Sequence, residues 1–329
     1  MTVSLSAWIV TIAALLALLV LDFLIVARKP HEPSLREATL WVSFYVGIAL
    51  LFGVGLTLVA GGEPGGEFFA GWLTEYSLSV DNLFVFIIIM GKFAVPRQYQ
   101  QKVLLVGVAL ALVMRGIFIA VGAEAISHFN WVFYLFGAFL LYTAWKLATS
   151  KEEEEFKENA VLVKVRKVLP TTETYHQARL TTRIDGKRFA TPMLVVMIAI
   201  GTTDLLFALD SIPAIFGLTQ EPYLVFTANA FALMGLRQLF FLIGGLLDRL
   251  VYLSYGLSVV LGFIGVKLIL EALHHSGVSW APEIPIVVSL SIILGTLVLT
   301  AVLSLLKSSR DSRTTNQDQP QPEEVSAND

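Results

Sequence analysis

Long apolar stretches alternate with short polar ones along the chain, and this pattern predicts an all-α polytopic membrane protein. Nine apolar stretches reach the roughly 20 residues that a helix needs to cross about 30 Å of hydrocarbon. The predicted spans are residues 7–27, 38–60, 68–91, 102–122, 129–147, 192–216, 222–246, 250–272 and 285–306. We interpret the first as a retained span and not a signal peptide, because no basic segment precedes it and Arg28 and Lys29 follow it.

The composition supports the same class. The chain is 56 % hydrophobic and 15 % charged, whereas a soluble domain carries about 25 % charged residues. Its mean hydropathy is +0.73. The sequence contains no cysteine, which excludes disulfide bonds and thiolate metal sites.

Basic residues are confined almost entirely to alternate loops. Apart from Arg115, Arg237 and Lys267, which lie inside spans, the 23 Lys and Arg residues occur in the first, third, fifth and seventh loops, at the span ends beside these loops, or after the last span. Because basic loops stay in the cytoplasm, this asymmetry predicts an N-terminus outside and a C-terminus in the cytoplasm. We therefore expect a multi-pass protein of the cell inner (plasma) membrane.

Two acid pairs within predicted spans indicate an internal repeat. Glu75-Tyr-Ser-Leu-Ser-Val-Asp81 lies in the third span and Asp204-Leu-Leu-Phe-Ala-Leu-Asp210 in the sixth, with the same spacing of six residues. An arginine and then a lysine follow each pair at similar distances: Arg115 and Lys146 in the first unit, Arg237 and Lys267 in the second. Since each unit has three spans, the two units have opposite orientations, which is the inverted repeat of many secondary transporters.

The repeat divides the chain into six segments. They are two N-terminal helices (1–66), a first three-helix unit (67–147), a cytoplasmic loop (148–191), a second, inverted three-helix unit (192–273), a C-terminal helix (274–307) and a tail (308–329). An ordinary solvated loop is the favoured interpretation of 148–191, with a short surface helix and a small hairpin as the alternative. The tail is rich in Gln, Pro, Asp, Glu and Asn, a composition typical of disorder.

The four intramembrane acids carry the candidate chemistry. A carboxylate at mid-membrane costs a few kcal/mol even on lenient insertion scales, so it persists where it has a partner or a task. On an ideal helix, residues six apart lie about 120° from each other. Glu75 and Asn82, seven apart, share a face, as do Asp204 and Ser211. Each span therefore either faces a cavity on two sides or unwinds between its acids.

The local sequence favours unwinding. Ser77 and Ser79 interrupt the first acidic segment, while Gly201, Thr202, Thr203 and then Pro213 flank the second. Freed carbonyls, carboxylates and amide oxygens would form an all-oxygen site, which suits Mn²⁺, Mg²⁺ or Ca²⁺ and not Zn²⁺ or copper. The alternative is that the acids form structural ion pairs with the intramembrane cations, although this does not explain why both units keep two acids. Asp22 is interpreted as a boundary residue.

The two acidic segments, residues 75–84 and 204–214, resemble the hallmark segments of the TerC family, which includes the bacterial Alx-type proteins. The similarity extends from about residue 10 to about residue 305 and includes the nine spans. The resemblance implies a cation transporter, chiefly a manganese exporter. It also implies which residues act as metal ligands or coupling acids: Glu75, Asp81, Asp204 and Asp210, with Asn82 as an additional oxygen donor.

The favoured function is export of Mn²⁺ from the cytoplasm by alternating access, with proton antiport as a route of coupling. Mn²⁺ would be a transported substrate, and no tightly bound cofactor is expected. The expected partners are the divalent metal ion and the lipid bilayer, with no nucleic acid. A homodimer and cytoplasmic or exported protein partners are left open.

Two other function classes were weighed. One is a non-transporting membrane scaffold of a metal-stress or tellurium-resistance complex, which would keep its partner when the acids are neutralised. The other is an intramembrane aspartyl protease, which also uses two membrane aspartates. Neither the Tyr-Asp nor the Gly-x-Gly-Asp motif of such proteases appears in the chain, so we do not expect an enzyme.

Overall fold

The computed structural model describes residues 3–28, 33–129, 131–149, 172, 175, 179–184, 187–243, 252–276, 278 and 280–317. Within these residues, nine helical segments are long and apolar enough to cross a membrane. The predicted class, an all-α polytopic membrane protein with nine spans, is therefore confirmed. Large apolar side chains are exposed along the outer helices, where lipid would cover them.

The spans follow one another with little other structure between them. The first five helices are α1 (Leu5–Arg28), α2 (Leu35–Ala60), α3 (Gly62–Lys92), α4 (Arg97–His128) and α5 (Trp131–Thr149). Two strands follow, β1 (Thr181–Ile184) and β2 (Lys187–Ala190). The last five helices are α6 (Pro192–Phe216), α7 (Pro222–Met234), α8 (Leu236–Ile243), α9 (Leu253–His275) and α10 (Ile286–Gln317).

The spans differ sharply in how deeply they are buried. The most apolar windows of α1 and α10 are each 11 % buried, which makes these helices peripheral, whereas the span formed by α7 and α8 is 89 % buried and lies at the centre. The helix of this central span is interrupted at Gly235, between the end of α7 and the start of α8. Arg237 lies just beyond the break.

Both acid-bearing helices, α3 and α6, are continuous, so the predicted unwinding between the acids is wrong. The hydroxyl groups that were expected to weaken them are satisfied within the helix. Ser77 donates to the Leu73 carbonyl at 2.7 Å. Thr202 donates to the Ile198 carbonyl at 2.7 Å. Pro213 lies inside α6, three residues before its end, and its missing N–H removes one backbone hydrogen bond without ending the helix.

Helices of the two predicted units pack against each other in matching pairs. Both α3 and α4 contact α6 and α7, and α5 packs along α9. Gly137 and Gly265 allow the close approach of α5 and α9, because a Cβ at either position would lie 2.9–3.0 Å from the other's carbonyl oxygen. Such pairing is expected if a two-fold axis relates the units, and the inverted repeat itself stays a prediction.

The cytoplasmic segment contains an antiparallel hairpin, with Thr181 of β1 opposite Ala190 of β2. The favoured interpretation of an ordinary loop is therefore wrong for its described part. Tyr175 ties this segment to the bundle, because its hydroxyl donates to the carbonyl of Phe93, the residue that caps α3, at 2.7 Å. The predicted surface helix after residue 150 lies outside the described residues.

The C-terminal helix α10 continues to Gln317, so residues 308–317 are helical where disorder was expected. These ten residues contain neither Gly nor Pro, and nothing in their backbone chemistry stops a helix that is already formed. Residues 318–329 of the predicted disordered tail lie outside the described residues.

Candidate functional site

The centre of the bundle holds a cluster of charged side chains that four helices bring together. Glu75 of α3 is 0 % exposed, Arg115 of α4 is 1 % exposed and Asp204 of α6 is 3 % exposed, so none of the three charges is solvated. Asn229 of α7, also fully buried, completes the group. We call these four residues, with Ser79 and Ser211, the central cluster.

Arg115 links the other members of the central cluster. Three acceptors surround the two N–H groups of its Nη1: Glu75 Oε1, Ser211 Oγ at 2.9 Å and Asn229 Oδ1 at 2.8 Å. Its Nη2 lies 3.6 Å from Asp204 Oδ1, within ion-pair distance. One guanidinium therefore faces an acid from each predicted unit, and when both acids are ionised they leave an excess of one negative charge.

Helical periodicity explains how the neutral donors reach this site. Asp204 and Ser211 are seven residues apart on α6 and both contact Arg115, as their shared helix face predicted. Ser79 lies one turn after Glu75 on α3 and donates to Glu75 Oε1 at 3.2 Å. The polar side of each acid-bearing helix thus faces the centre of the bundle.

The central cluster is not fully satisfied. Glu75 Oε2 and Arg115 Nε are buried and have no hydrogen-bond partner among the described residues. A buried polar atom without a partner costs about 1–3 kcal/mol, and more when it is charged. Buried atoms of this kind are often satisfied by a water molecule or an ion.

The predicted ligands do not all converge on this cluster. Glu75 and Asp204 lie within it, and Asn82 is buried, 7 % exposed, two turns further along α3. Asp81 is half-buried and has no hydrogen-bond or ion-pair partner among the described side chains. Asp210 belongs to α6, but its side chain is not among those that the structure describes. Among the described residues, no three His, Cys, Asp or Glu side chains are close enough to hold a metal ion. The five-residue site stays a prediction.

The ion-pair alternative weighed from the sequence holds for two of the four acids. Glu75 and Asp204 both pair with Arg115, although the sequence favoured an oxygen site over salt bridges. These contacts could not be predicted from the sequence, since Arg115 lies 40 residues from Glu75. A cation that reaches these carboxylates must therefore displace the guanidinium or share the carboxylates with it.

A second buried ion pair lies apart from the central cluster and involves Asp22, which the sequence analysis interpreted as a boundary residue. Asp22 does lie near the end of the first span, but it is only 6 % exposed and its Oδ1 accepts from Arg237 Nη2 at 2.5 Å. Gln238 also donates to Asp22 Oδ1, at 3.3 Å, and Gln101 accepts from Arg237 Nη1 at 3.5 Å. The only feature of the sequence that pointed to this ion pair was the position of Asp22 inside an apolar stretch.

Comparison with known proteins places the chain among bacterial membrane proteins. The profile described as "Integral membrane protein TerC family" matches residues 60–312, more than half of the chain. An uncharacterized membrane protein of Mycobacterium tuberculosis strain H37Rv is 54 % identical over 274 residues, which cover 82 % of this chain and 69 % of the relative. One from Myxococcus xanthus is 40 % identical over 314 residues, 95 % of this chain and 96 % of the relative.

A third relative carries a functional name. Alx of Escherichia coli strain K12, named as a candidate membrane-bound redox modulator, is 38 % identical over 297 residues, which cover 87 % of this chain and 90 % of the relative. No solved structure matches the chain.

Proposed function

This chain belongs to the TerC family of integral membrane proteins, and on that premise we propose that it is a secondary transporter that exports a divalent cation, Mn²⁺ first among them, from the cytoplasm. The central cluster is the proposed substrate path. Transport, and not catalysis, is the activity that its residues support, because carboxylates, an amide and hydroxyls offer oxygen donors for a hard cation.

One observation carries the proposal: Glu75 Oε2 is a buried carboxylate oxygen without a partner, in a cluster with an excess of one negative charge. Ionisable residues inside a membrane bundle mark ion pathways in general. A cluster that served only to hold helices together would be expected to satisfy both oxygens of its most deeply buried acid.

Arg115 has a defined part in this mechanism. In the cation-free state its guanidinium neutralises Glu75 and lies near Asp204, so that neither carboxylate is left unpaired in the membrane. An arriving cation competes for the same oxygens, and Ser79, Ser211 and Asn229 supply neutral oxygens around them. The cluster lies between helices of both predicted units, so a shift of one unit against the other would expose it to alternate sides.

Export also needs a driving force. Moving two positive charges outward against a potential of 100 mV, negative inside, costs about 4.6 kcal/mol. Carboxylates that bind either the metal or protons provide a direct exchange, because metal binding requires the deprotonated form. We therefore include proton antiport in the proposal, with Asp81 as the acid best placed to titrate because it is half-buried and unpaired among the described residues.

The proposal includes location and orientation. The basic loops support insertion in the cell inner membrane with the N-terminus outside and the C-terminus in the cytoplasm. The loops after α2, α6 and α9 would then be at the outer face, and the β-hairpin would be cytoplasmic.

The test is flux in liposomes reconstituted with the full-length protein. Mn²⁺ entry is followed with an interior metal-quenched dye, and proton movement with an interior pH dye. We expect Mn²⁺ uptake that moves protons in the opposite direction and is abolished by Glu75→Gln and Asp204→Asn. Glu124→Gln is the matched control, since the Glu124 side chain is 77 % exposed, and it should keep full flux. Absence of Mn²⁺ flux in the wild type contradicts transport, and flux without proton movement contradicts antiport.

A scaffold without transport is the second candidate, and the pairing of Glu75 and Asp204 with one arginine favours it. Such a protein would use the central cluster only to fix the packing of its helices. It would show no Mn²⁺ flux, and neutralising Asp81 would leave its binding to a partner complex unchanged.

A further inference from the structure

We propose that a cavity at the outer face is a second, weak site for hydrated divalent cations, and that Lys267 is a tethered ammonium that competes with them. We call this cavity the acidic vestibule. The inference rests on the proposed function only for its role as the release side of the export path; the binding itself does not depend on transport.

The acidic vestibule has a volume of about 740 Å³ and lies among the starts of α3 and α7, the ends of α6 and α9 and the segment before α10. Five carboxylates and one ammonium line it: Glu63, Glu67, Glu221, Glu271, Glu283 and Lys267. This leaves an excess of four negative charges. A cleft lined by charges of one sign concentrates counter-ions, here cations, above their bulk level.

Lys267 is the observation that points to an exchangeable cation. It is 8 % exposed, lines the vestibule and has no hydrogen bond or ion pair among the described residues. The carboxylates that act on it electrostatically are those of Glu271 and Glu67. Its stem is buried while its ammonium opens into the cavity, because Nζ is not among the fully enclosed polar atoms of the described residues. The ammonium therefore lies in the field of acids that it does not contact.

The nearby acids are already held by neutral donors. Thr219 donates to Glu67 Oε2 at 2.7 Å, and Gln220 donates to Glu271 Oε1 at 2.7 Å. These bonds fix both carboxylates at the wall of the vestibule, in the field of Lys267. The Lys267 ammonium therefore competes with any mobile cation that enters this space, because both are attracted to the same carboxylates.

The ion in the vestibule would keep its water shell. Among the described residues, no three acidic or histidine side chains are close enough to coordinate a bare ion, so the carboxylates must act through water. The cavity is far larger than the roughly 30 Å³ of a single water molecule. Mg²⁺ and ions of similar hardness commonly bind to carboxylates while retaining several waters. Binding of this kind is weak, which suits a place where a transported ion leaves.

The vestibule is separate from the central cluster. Glu67 and Glu75 are eight residues apart on continuous α3, which places them about 12 Å apart along the helix. Gly71 lies halfway between them, and a Cβ there would be 3.2 Å from Ile215 and 3.3 Å from Ala228. These distances show that α3, α6 and α7 pack closely in the layer between the two acidic sites.

The test is equilibrium binding of Mn²⁺ alone to the purified full-length protein in detergent, measured from the loss of the paramagnetic resonance signal of free Mn²⁺. We expect a weak site for which Mg²⁺ competes. Glu67→Gln and Glu271→Gln should weaken it at least threefold, whereas Lys267→Met should tighten it at least threefold. Lys146→Met, at the matching position of the first unit and exposed, should leave binding unchanged.

Opposite signs for the acid and the lysine variants are the essential result. Unchanged or weakened binding in Lys267→Met overturns the competition, and unchanged binding in both glutamate variants overturns the site. Because binding is measured without flux, the two proposals fail separately. A wild type that binds Mn²⁺ in this pattern and transports none contradicts only the proposed function, and one that transports Mn²⁺ while both glutamate variants bind normally contradicts only the vestibule.

Discussion

The pairing of Arg115 with Glu75 leads to a prediction in which stability and transport respond differently to the same substitutions. Arg115→Met leaves the carboxylates of Glu75 and Asp204 buried and unpaired, with an excess of two negative charges. Removing one partner of a buried pair costs about 3–5 kcal/mol. Since proteins are stable by about 5–15 kcal/mol, this variant should fold poorly.

Adding Glu75→Gln should rescue the fold but not the function. The double variant restores the single excess charge of the wild type, because one carboxylate and the guanidinium are removed together. The amide oxygen of the new side chain can still accept from Ser79. For contacting residues, coupling energies of about 0.5–3 kcal/mol are typical, so the stability loss of the double variant should be smaller than the sum of the two single losses by an amount in this range.

The assay is a double-mutant cycle of the wild type, both single variants and the double variant. Unfolding by denaturant in detergent gives the free energy of unfolding, and reconstituted liposomes give Mn²⁺ flux at equal protein content. We expect strong non-additivity in stability and no flux from the double variant. Additive stability losses would refute the described contact. Flux at the wild-type rate from the double variant would refute Glu75 as a ligand.

Three further predictions each concern a substitution at one position. Asp81→Asn should abolish Mn²⁺ flux while changing the free energy of unfolding by less than about 1 kcal/mol, since no described partner is lost; a large loss of stability would contradict this. Asp22→Asn should destabilise by about 3–5 kcal/mol, measured by denaturant unfolding, and Arg237→Met in that background should recover part of it. Gly71→Val should overpack the layer below the vestibule, costing about 1–3 kcal/mol, and lower flux at least tenfold in liposomes, whereas Gly55→Val, at a position with open space, should not.

The spans and the intramembrane acids could be predicted from the sequence because both are signals carried by single stretches of chain. An apolar run of sufficient length can cross the bilayer whatever its neighbours are. A carboxylate within such a run, such as Glu75 or Asp204, is conspicuous on energetic grounds alone. The shared face of Asp204 and Ser211 followed from helical geometry, and both contact Arg115.

The partners of these residues could not be predicted in the same way. Asp22 and Arg237 are 215 residues apart, and only the packing of α1 against the central helices brings them together. The continuity of α3 and α6 was missed for a related reason. A serine or threonine in an apolar segment can compete with the helix or bond to the preceding turn, and the sequence does not distinguish the two.

The two intramembrane arginines, which occupy matching positions of the predicted repeat, have different partners in the fold. Arg115 faces acids of both predicted units, whereas Arg237 is held by Asp22 of α1, outside the repeat. If Arg237 also paired with the acids of the centre, the excess negative charge of the central cluster would vanish, and a cation would gain no net attraction there. We infer that α1 contributes to transport indirectly: by binding the second arginine, it leaves one guanidinium against two carboxylates, which is the condition for a cation to compete.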